Sequence, residues 1–213
     1  MHIQQMTVGM LQVCCYILTC ETTREAVIID PGGEDEQVIA YCDGNDLRVR
    51  YLVATHGHPD HVCGNGPLKK ALGAQIVMHT DDALFFWQQQ AREYFSMLGL
   101  PESPKPDRLV ADGDTIAFGQ ESLQVLHTPG HTPGGICLYS KPNCFTGDTL
   151  FAGGVGRTDF PGGSTQDLLK SIRTQLLTLP PETIVWPGHG YGGLRSTIGD
   201  EARTNPFLHG SYL

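Results

Sequence analysis

The fold of this chain is decided by the stretch Thr55-His56-Gly57-His58-Pro59-Asp60-His61, which directly follows an apolar run. Three imidazoles and one carboxylate fall within six residues of that stretch. On a helix, His56 and His58 would point about 200° apart. On a tight loop that contains Gly57 and Pro59, all four side chains can converge. Neutral imidazoles and carboxylates are ligands of zinc, iron and manganese, so the stretch predicts a metal-binding loop at the end of a strand.

Further candidate ligands lie in turns that follow other predicted strands. His131, Asp148 and His189 each sit beside a glycine, just past an apolar run. Because the ends of neighbouring strands lie side by side in a sheet, these side chains can reach the first loop. The full set is five histidines and two aspartates: His56, His58, Asp60, His61, His131, Asp148 and His189. Seven ligands exceed one tetrahedral zinc, so the sequence predicts two metal ions that share a carboxylate.

The rest of the chain alternates runs of strands with interspersed helices. Strands are predicted at residues 11–19, 26–30, 49–55, 74–78, 114–118, 122–127, 136–140, 144–146 and 183–186. Helices are predicted at 34–41, at 68–72 as the end of a helix, at 81–98 and at 165–177. The 81–98 helix should be the longest, capped by Thr80, with one apolar face made by Leu84, Trp87, Ala91, Tyr94 and Leu98. The proline-rich segment 99–107 is predicted as a connector rather than a lid. This pattern indicates a mixed α/β sheet protein, with residues 1–213 as a single domain.

Composition excludes several classes of function. The 213 residues include 26 glycines and carry a net charge of −9, which disfavours nucleic acid and anionic membranes as partners. No apolar run is long enough for a transmembrane helix. The seven cysteines include no C-x-x-C pair, so we expect them to be reduced packing residues in a cytoplasmic protein.

Five other residues invite a functional interpretation. We expect His79 and His127, which end strands, to be structural. Arg157 and Asp159 should form an ion pair that braces a glycine-rich loop, and Cys63 should be a packing residue beside the metal loop.

Taken together, the motifs resemble the metallo-β-lactamase fold superfamily. The resemblance rests on T-H-x-H-x-D-H at 55–61, H-T-P-G-H-T-P-G at 127–134, G-D-T-L-F at 147–151 and G-H at 188–189. With G-R-T-D-F at 156–160, the chain is similar to the glyoxalase II branch, the hydroxyacylglutathione hydrolases. The resemblance spans nearly the whole chain, and it implies a four-layer αββα sandwich with its metals in a cleft at one sheet edge.

The same resemblance implies a role for each ligand. One metal would bind His56, His58 and His131, the other would bind Asp60, His61 and His189, and Asp148 would bridge them. Asp30 would support the ligand loop without binding metal. The two divalent ions would be zinc, with iron or manganese as alternatives. A metal-bridging hydroxide would then hydrolyse a thioester of the S-lactoylglutathione type, with Asp60 also passing a proton.

The chain also departs from full-length glyoxalase II. Only 24 residues follow His189 here, and they contain Arg195 and Arg203, so we expect no C-terminal helical domain of the kind that supplies basic groups for glutathione in that enzyme. We expect the substrate to be a small thioester, whether or not glutathione is its thiol.

Three rival functions remain for this sequence. Persulfide dioxygenases resemble the same motifs but use a single iron, on residues matching His56, His131 and Asp148. The dizinc β-lactamases usually have cysteine where Asp148 stands. An intact ligand set argues against a binding module without activity.

Overall fold

The structure is a computed structural model that describes residues 1–209. Two six-stranded sheets form its centre, and each takes its strands from one half of the chain. The first sheet follows chain order: β1 (His2–Val8), β2 (Val13–Thr19), β3 (Glu25–Ile29), β4 (Arg48–Val53), β5 (Gln75–His79) and β6 (Arg108–Val110). Later in the chain come β7 (Thr115–Phe118), β8 (Glu121–His127), β9 (Ile136–Ser140), β10 (Asn143–Gly147), β11 (Leu150–Phe151), β12 (Gly154–Val155), β13 (Ile184–Pro187) and β14 (Ser196–Thr197). The second sheet has the order β14-β13-β10-β9-β8-β7, and β11 pairs with β12 apart from it.

The main core lies between the two sheets. Alternate residues of a strand point to opposite faces, so Tyr16 of β2 faces the second sheet while Ile17 faces away from it. Tyr16 belongs to one buried cluster with Phe145 of β10 and Trp186 of β13. Strand β2 is buried on both faces, which explains its unbroken apolar sequence.

Helices cover the outer face of each sheet. They are α1 (Asp35–Gly44), α2 (Pro59–Val62), α3 (Asn65–Leu72), α4 (Thr80–Phe86), α5 (Gln89–Ser96), α6 (Thr165–Ser171), continued by a π-helical segment Ile172–Leu176, and α7 (Ile198–Thr204). Helices α1 and α3 pack on the first sheet, and α6 and α7 on the second. Of the helices within residues 1–209, none has the length and apolar character needed to cross a bilayer. The predicted four-layer αββα sandwich is confirmed.

Strand directions bring the candidate ligands to one edge. In the second sheet, β10 runs parallel to β13, and β8 has the same direction because two antiparallel pairings separate it from β10. The turns after these three strands carry His131, Asp148 and His189, while His56 follows β4 of the first sheet. A direct link fixes the two sheets at this edge, since the Cys14 amide donates to the Gly188 carbonyl at 2.7 Å.

The predicted single helix at 81–98 is wrong. The chain forms α4 and α5, separated at Gln88, whose backbone is extended (φ −71°, ψ 144°). A continuous helix would place Phe86 and Phe95 on opposite sides, because nine residues make two and a half turns. The break lets both rings face the same way, with centroids 5.1 Å apart.

The cap predicted for that helix is wrong as well, and so is most of its predicted apolar face. Ala91 is buried as expected, but Leu84 is 65% exposed, and Tyr94 and Leu98 are exposed too. Phe86 and Phe95 are buried instead. The N-terminal cap is His79, whose Nδ1 accepts a hydrogen bond from the Asp81 amide, and not Thr80. Periodicity alone could not reveal the break, because the buried rings pack on a loop elsewhere in the chain.

Several elements escaped the sequence patterns. They are β1, β6, β11, β12, β14, α2 and α7. Strand β1 is half-buried and rich in glutamine, so its sequence HIQQMTV lacks the apolar alternation of the others. The remaining six are short, from two to seven residues, and tertiary contacts rather than local sequence decide them.

Candidate metal centre

The ligand loop is half turn and half helix. After β4, the backbone bends at Thr55 and His56 and is extended at His58 (φ −62°, ψ 139°), and Pro59 then begins the single helical turn α2, which carries Asp60 and His61. Proline suits this first helical position because no amide hydrogen bond is lost there. The four side chains therefore converge from a turn and a helix rather than from a loop alone.

Gly57 is required for space rather than for backbone freedom. A Cβ atom at this position would lie 2.3 Å from the Phe86 ring, far inside van der Waals contact. Its φ is not left-handed, so glycine is not needed here for its backbone conformation. The close approach allows Phe86 of α4 to press against the loop between two ligands.

One group of three imidazoles gathers His56, His58 and His131. Their potential ligand atoms all lie within 4.8 Å of one another, and all three side chains are buried. The His58 Nδ1 and His131 Nε2 atoms are 2.9 Å apart. Burial, followed by the neighbouring imidazoles, lowers the pKa of His56 and His58 well below the usual range. Neutral rings with free lone pairs are the form that binds a cation.

A second group consists of Asp60, His61 and His189. The Nε2 atoms of His61 and His189 are 3.2 Å apart, and Asp60 Oδ2 lies 3.6 Å and 3.4 Å from them. Burial alone would raise the pKa of Asp60, but the His61 and His189 imidazoles hold it well below its usual range. The carboxylate is therefore ionised at neutral pH.

Asp148 stands between the two groups. Its Oδ2 atom is 3.6 Å from Nε2 of both His131 and His189, and its Oδ1 atom is 3.5 Å from Nε2 of His61. The turn after β10 can bring Asp148 this close because Gly188 has no side chain: a Cβ there would lie 2.2 Å from Asp148 Oδ1. One carboxylate thus faces both groups of ligands.

Buried polar atoms without partners test whether these residues suit metal ions. His56 Nε2, His58 Nε2 and Asp148 Oδ1 are buried and have no hydrogen-bond partner. Buried polar atoms are rarely left in this state, since an unpaired one costs about 1–3 kcal/mol. All three atoms belong to candidate ligands. The donor set and its unsatisfied atoms therefore fit a pair of divalent cations.

In three of the imidazoles, a hydrogen-bonding partner at Nδ1 fixes the orientation of the ring. His131 Nδ1 donates to the Arg157 carbonyl at 2.6 Å, and His189 Nδ1 donates to the Leu11 carbonyl at 3.0 Å. His61 Nδ1 lies 3.0 Å from Asp30 Oδ2. Such bonds hold the ring and leave its Nε2 lone pair facing the site.

Asp30 contacts the ligand loop at two residues, His61 and Thr55. Besides His61, its carboxylate accepts hydrogen bonds from the Thr55 amide at 2.7 Å and the Thr55 hydroxyl at 2.6 Å. The residue is buried and left-handed (φ 51°), a strained conformation that the surrounding contacts hold in place. Burial lowers the pKa of His61, but the carboxylates of Asp60, Asp148 and Asp30 raise it to about 10. The three carboxylates around His61 therefore favour a positive charge at its imidazole.

The sequence reasoning missed Asp82, a fully buried carboxylate. It accepts hydrogen bonds from the Gly57 amide (2.8 Å), the Thr132 hydroxyl (2.8 Å) and the Gly134 amide (2.6 Å). Asp82 thereby joins the two loops that carry His56, His58 and His131. Burial raises its pKa to about 6, despite these donors. The only sequence signal was its position four residues before Phe86, on the buried side of α4.

The remaining polar candidates lie outside the two ligand groups, and His79 and His127 form a separate group with Asp81. His79 and His127 stack with ring centroids 4.0 Å apart, and His127 Nε2 donates to the Pro133 carbonyl at 3.0 Å. Arg157 and Asp159 form the predicted ion pair, at 2.7 Å and exposed. All seven cysteines are free and buried, as predicted, and Cys63 is one of them.

The chain matches a known protein family. The profile of the "Metallo-beta-lactamase superfamily" matches residues 8–189, a span that contains all seven candidate ligands. The chain belongs to the metallo-beta-lactamase superfamily. Its two sheets and the cluster of histidines and aspartates at their edge are the features that this membership explains.

Relatives within the superfamily differ in activity. The chain is 39% identical over 217 residues to the hydroxyacylglutathione hydrolase GloC of Haemophilus influenzae, covering 98% of this chain and 99% of GloC. It is also 36% identical over 198 residues to the persulfide dioxygenase ETHE1 of Bos taurus, covering 91% and 70%. The crystal structure of the B3 metallo-beta-lactamase BLEG-1 has a TM-score of 0.89 at 32% identity, covering 98% of this chain and 100% of BLEG-1. The protein is thus a metal-binding hydrolase of this superfamily. The bovine relative shows that the superfamily also includes a dioxygenase.

Proposed function

We propose that this superfamily member hydrolyses a thioester of the hydroxyacylglutathione type, using two divalent metal ions, zinc first. The observation that carries the proposal is the position of Asp148 between two complete groups of three ligands. The similarity to GloC supports the substrate class. Iron or manganese would suit the same imidazole and carboxylate donors.

The candidate ligands would divide between two metal ions, and two further carboxylates hold the loops that carry them. His56, His58 and His131 would hold one ion, Asp60, His61 and His189 the other, and Asp148 both. When bound, two divalent ions would polarise the thioester carbonyl and lower the pKa of water. Asp30 and Asp82 fix the loops on which these ligands stand.

Asp60 is also the candidate for moving a proton. Its side chain is 14% exposed, more than the imidazoles beside it, so it faces the opening of the site. In hydrolysis, the oxygen of water bonds to the acyl carbon, the carbon–sulfur bond breaks, and the thiolate takes up a proton. A carboxylate at the opening can take the proton from water and pass it to the leaving sulfur.

The alternative is a persulfide dioxygenase with a single iron. The bovine relative supports it, and His131 and Asp148, which would share that iron with His56, lie 3.6 Å apart. The hydrolase is favoured because Asp60, His61 and His189 form an equally compact second group, which a single iron would not use.

One set of measurements on one sample separates these functions. Metal content, hydrolysis of S-lactoylglutathione and persulfide-dependent oxygen uptake are measured together, with a β-lactam as a third substrate because of BLEG-1. The proposal expects about two ions per chain and thioester hydrolysis, both lost in Asp148→Ala. One iron with oxygen uptake, β-lactam hydrolysis alone, or turnover that survives Asp148→Ala would overturn it.

We also propose that the protein acts in the cytoplasm on a small molecule. Its seven reduced, buried cysteines are typical of a reducing compartment. The net charge of −9 disfavours nucleic acid and anionic membranes as partners.

A further inference from the structure

Two adjoining hollows flank the ligand loop on one side. The first has about 70 Å³ open to the centre of a water molecule, lies between α4 and α5, and has Phe86, Trp87, Ala91 and Phe95 in its wall. Gly57 and Pro59 of the ligand loop also line it. One water molecule needs about 10–15 Å³ of such space. The first hollow therefore has room for a few methylene groups and is walled by aromatic side chains.

The second hollow lies beside the first and has Asp60 in its lining. It has about 220 Å³ open to the centre of a water molecule and is also lined by Met10, Leu11 and Cys63. Leu100 and Pro101 line both hollows, so the two adjoin at this segment, with Asp60 in one and the aromatic wall in the other. We call the two adjoining hollows together the acyl groove. The 99–107 segment thus contributes to a wall of the site, in addition to its predicted role as a connector.

The acyl groove is unsuited to an anionic group. Its charged lining includes the carboxylates of Asp35, Asp60 and Glu102. Among the described residues that line it, Arg92 is the one cation, and its guanidinium is already paired with Glu102 at 2.7 Å. The carboxylates of a glutathione moiety would be repelled there, while uncharged hydrocarbon would be accepted.

We propose that the acyl groove binds the apolar acyl chain of the thioester, so that the enzyme prefers acyl groups longer than acetyl. This inference rests on the proposed function. Water adds to the acyl carbon next to Asp60, the carbon–sulfur bond breaks, the thiol leaves with a proton, and the free acid retains its chain in the groove. The thiol half leaves past Tyr191, an exposed ring that stacks on His189 with centroids 4.8 Å apart.

The test varies the acyl chain on one small, uncharged thiol. The metal-loaded protein is assayed with acetyl, butanoyl, hexanoyl and octanoyl thioesters of N-acetylcysteamine. Full burial of a methylene group corresponds to about a 4-fold gain per group. In an open groove we expect about 2-fold to 4-fold per methylene in kcat/KM, hence at least about 15-fold between acetyl and hexanoyl.

Two leucines of one segment supply matched variants. Leu100→Asp puts a carboxylate where the two hollows meet, and should lower the octanoyl rate at least 10-fold more than the acetyl rate. Leu98→Asp places the same charge on a side chain that is 48% exposed and lines neither hollow, and it should behave as wild type.

A binding measurement separates this inference from the proposed function. The non-hydrolysable thioether S-octyl-N-acetylcysteamine should change the fluorescence of Trp87, and Trp87→Phe should remove that signal. Its affinity should exceed that of the S-ethyl analogue and should fall in Leu100→Asp. If no thioester is cleaved, the proposed function fails and this binding result decides the groove on its own. Rates and affinities independent of chain length, or a preference that follows the thiol in alkyl thioacetates, would overturn the inference.

Discussion

Gly188 gives the sharpest test of where Asp148 stands. A methyl group added at this position would lie 2.2 Å from Asp148 Oδ1, 2.9 Å from the Gly147 carbonyl carbon and 2.9 Å from His61 Cε1. Gly188 does not have a left-handed φ, so alanine is excluded by space and not by backbone strain. Ordinary contact begins near 3.4 Å, and Gly188→Ala must therefore displace the carboxylate by about 1.2 Å.

A displacement of that size should disable the site without unfolding the protein. A shift of about 1 Å in a reacting group can cost about 100-fold in rate, and overpacking a core costs about 1–3 kcal/mol. We expect Gly188→Ala to lower metal affinity and kcat/KM by about 100-fold each, with a modest loss of thermal stability in the metal-free state. Metal affinity is measured by competition with a chromophoric chelator, and stability by thermal unfolding in EDTA.

Gly190→Ala is the matched control on the other side of His189. Its methyl group would meet only the end of Leu194, at 2.9 Å, and that side chain is 52% exposed and can move. This variant should bind metal and turn over as the wild type does. Two ions bound at wild-type affinity in Gly188→Ala would refute the placement of Asp148 as the shared ligand.

Three further predictions concern the residues that support the ligand loop. Burial raises the pKa of Asp82 to about 6 from an ordinary 3.8, so its ionisation destabilises the folded state as the pH rises through that window. We therefore expect metal-free wild type to lose about 3 kcal/mol of unfolding free energy relative to Asp82→Asn between pH 4 and pH 7. Denaturant titrations of both proteins at each pH measure this difference. A difference that stays flat or rises with pH would contradict the prediction. Gly57→Ala should cost about 1–3 kcal/mol against the Phe86 ring, and Phe86→Leu in the same chain should recover most of it; absence of recovery would show that the strain lies elsewhere. Asp30→Asn should weaken metal binding about 10-fold to 100-fold through His61 while the fold is retained, and unchanged affinity in the chelator assay would exclude Asp30 from this role.

The candidate ligands could be located from sequence because each lies in a local signature. His131, Asp148 and His189 all follow a strand and adjoin a glycine, and that context is visible without any tertiary information. The αββα layering followed from the order of strands and helices together with the family resemblance. Both depend on short-range patterns, which a single sequence records well.

The supporting residues could not be predicted in this way. Asp82 was indistinguishable from Asp81 in the sequence, yet it is fully buried and joins two loops, whereas Asp81 is half-exposed. The break at Gln88 and the position of Phe95 depend on packing against His58, whose ring centroid is 5.0 Å from that of Phe95. Such contacts join residues distant in the chain, and helical periodicity carries no information about them.

The division of the strands between two halves of the chain has a consequence for folding. Every strand of the first sheet ends by Val110, and every strand of the second begins at Thr115 or later. Each ligand group takes two residues from the first half, and the third, His131 or His189, from the second. During synthesis, the first sheet can emerge with four ligands on it and still hold no complete group. Binding of both metal ions would then require the two halves of the chain to be folded against each other. A chain truncated before His189 would lack the second ligand group, however well its first sheet had folded.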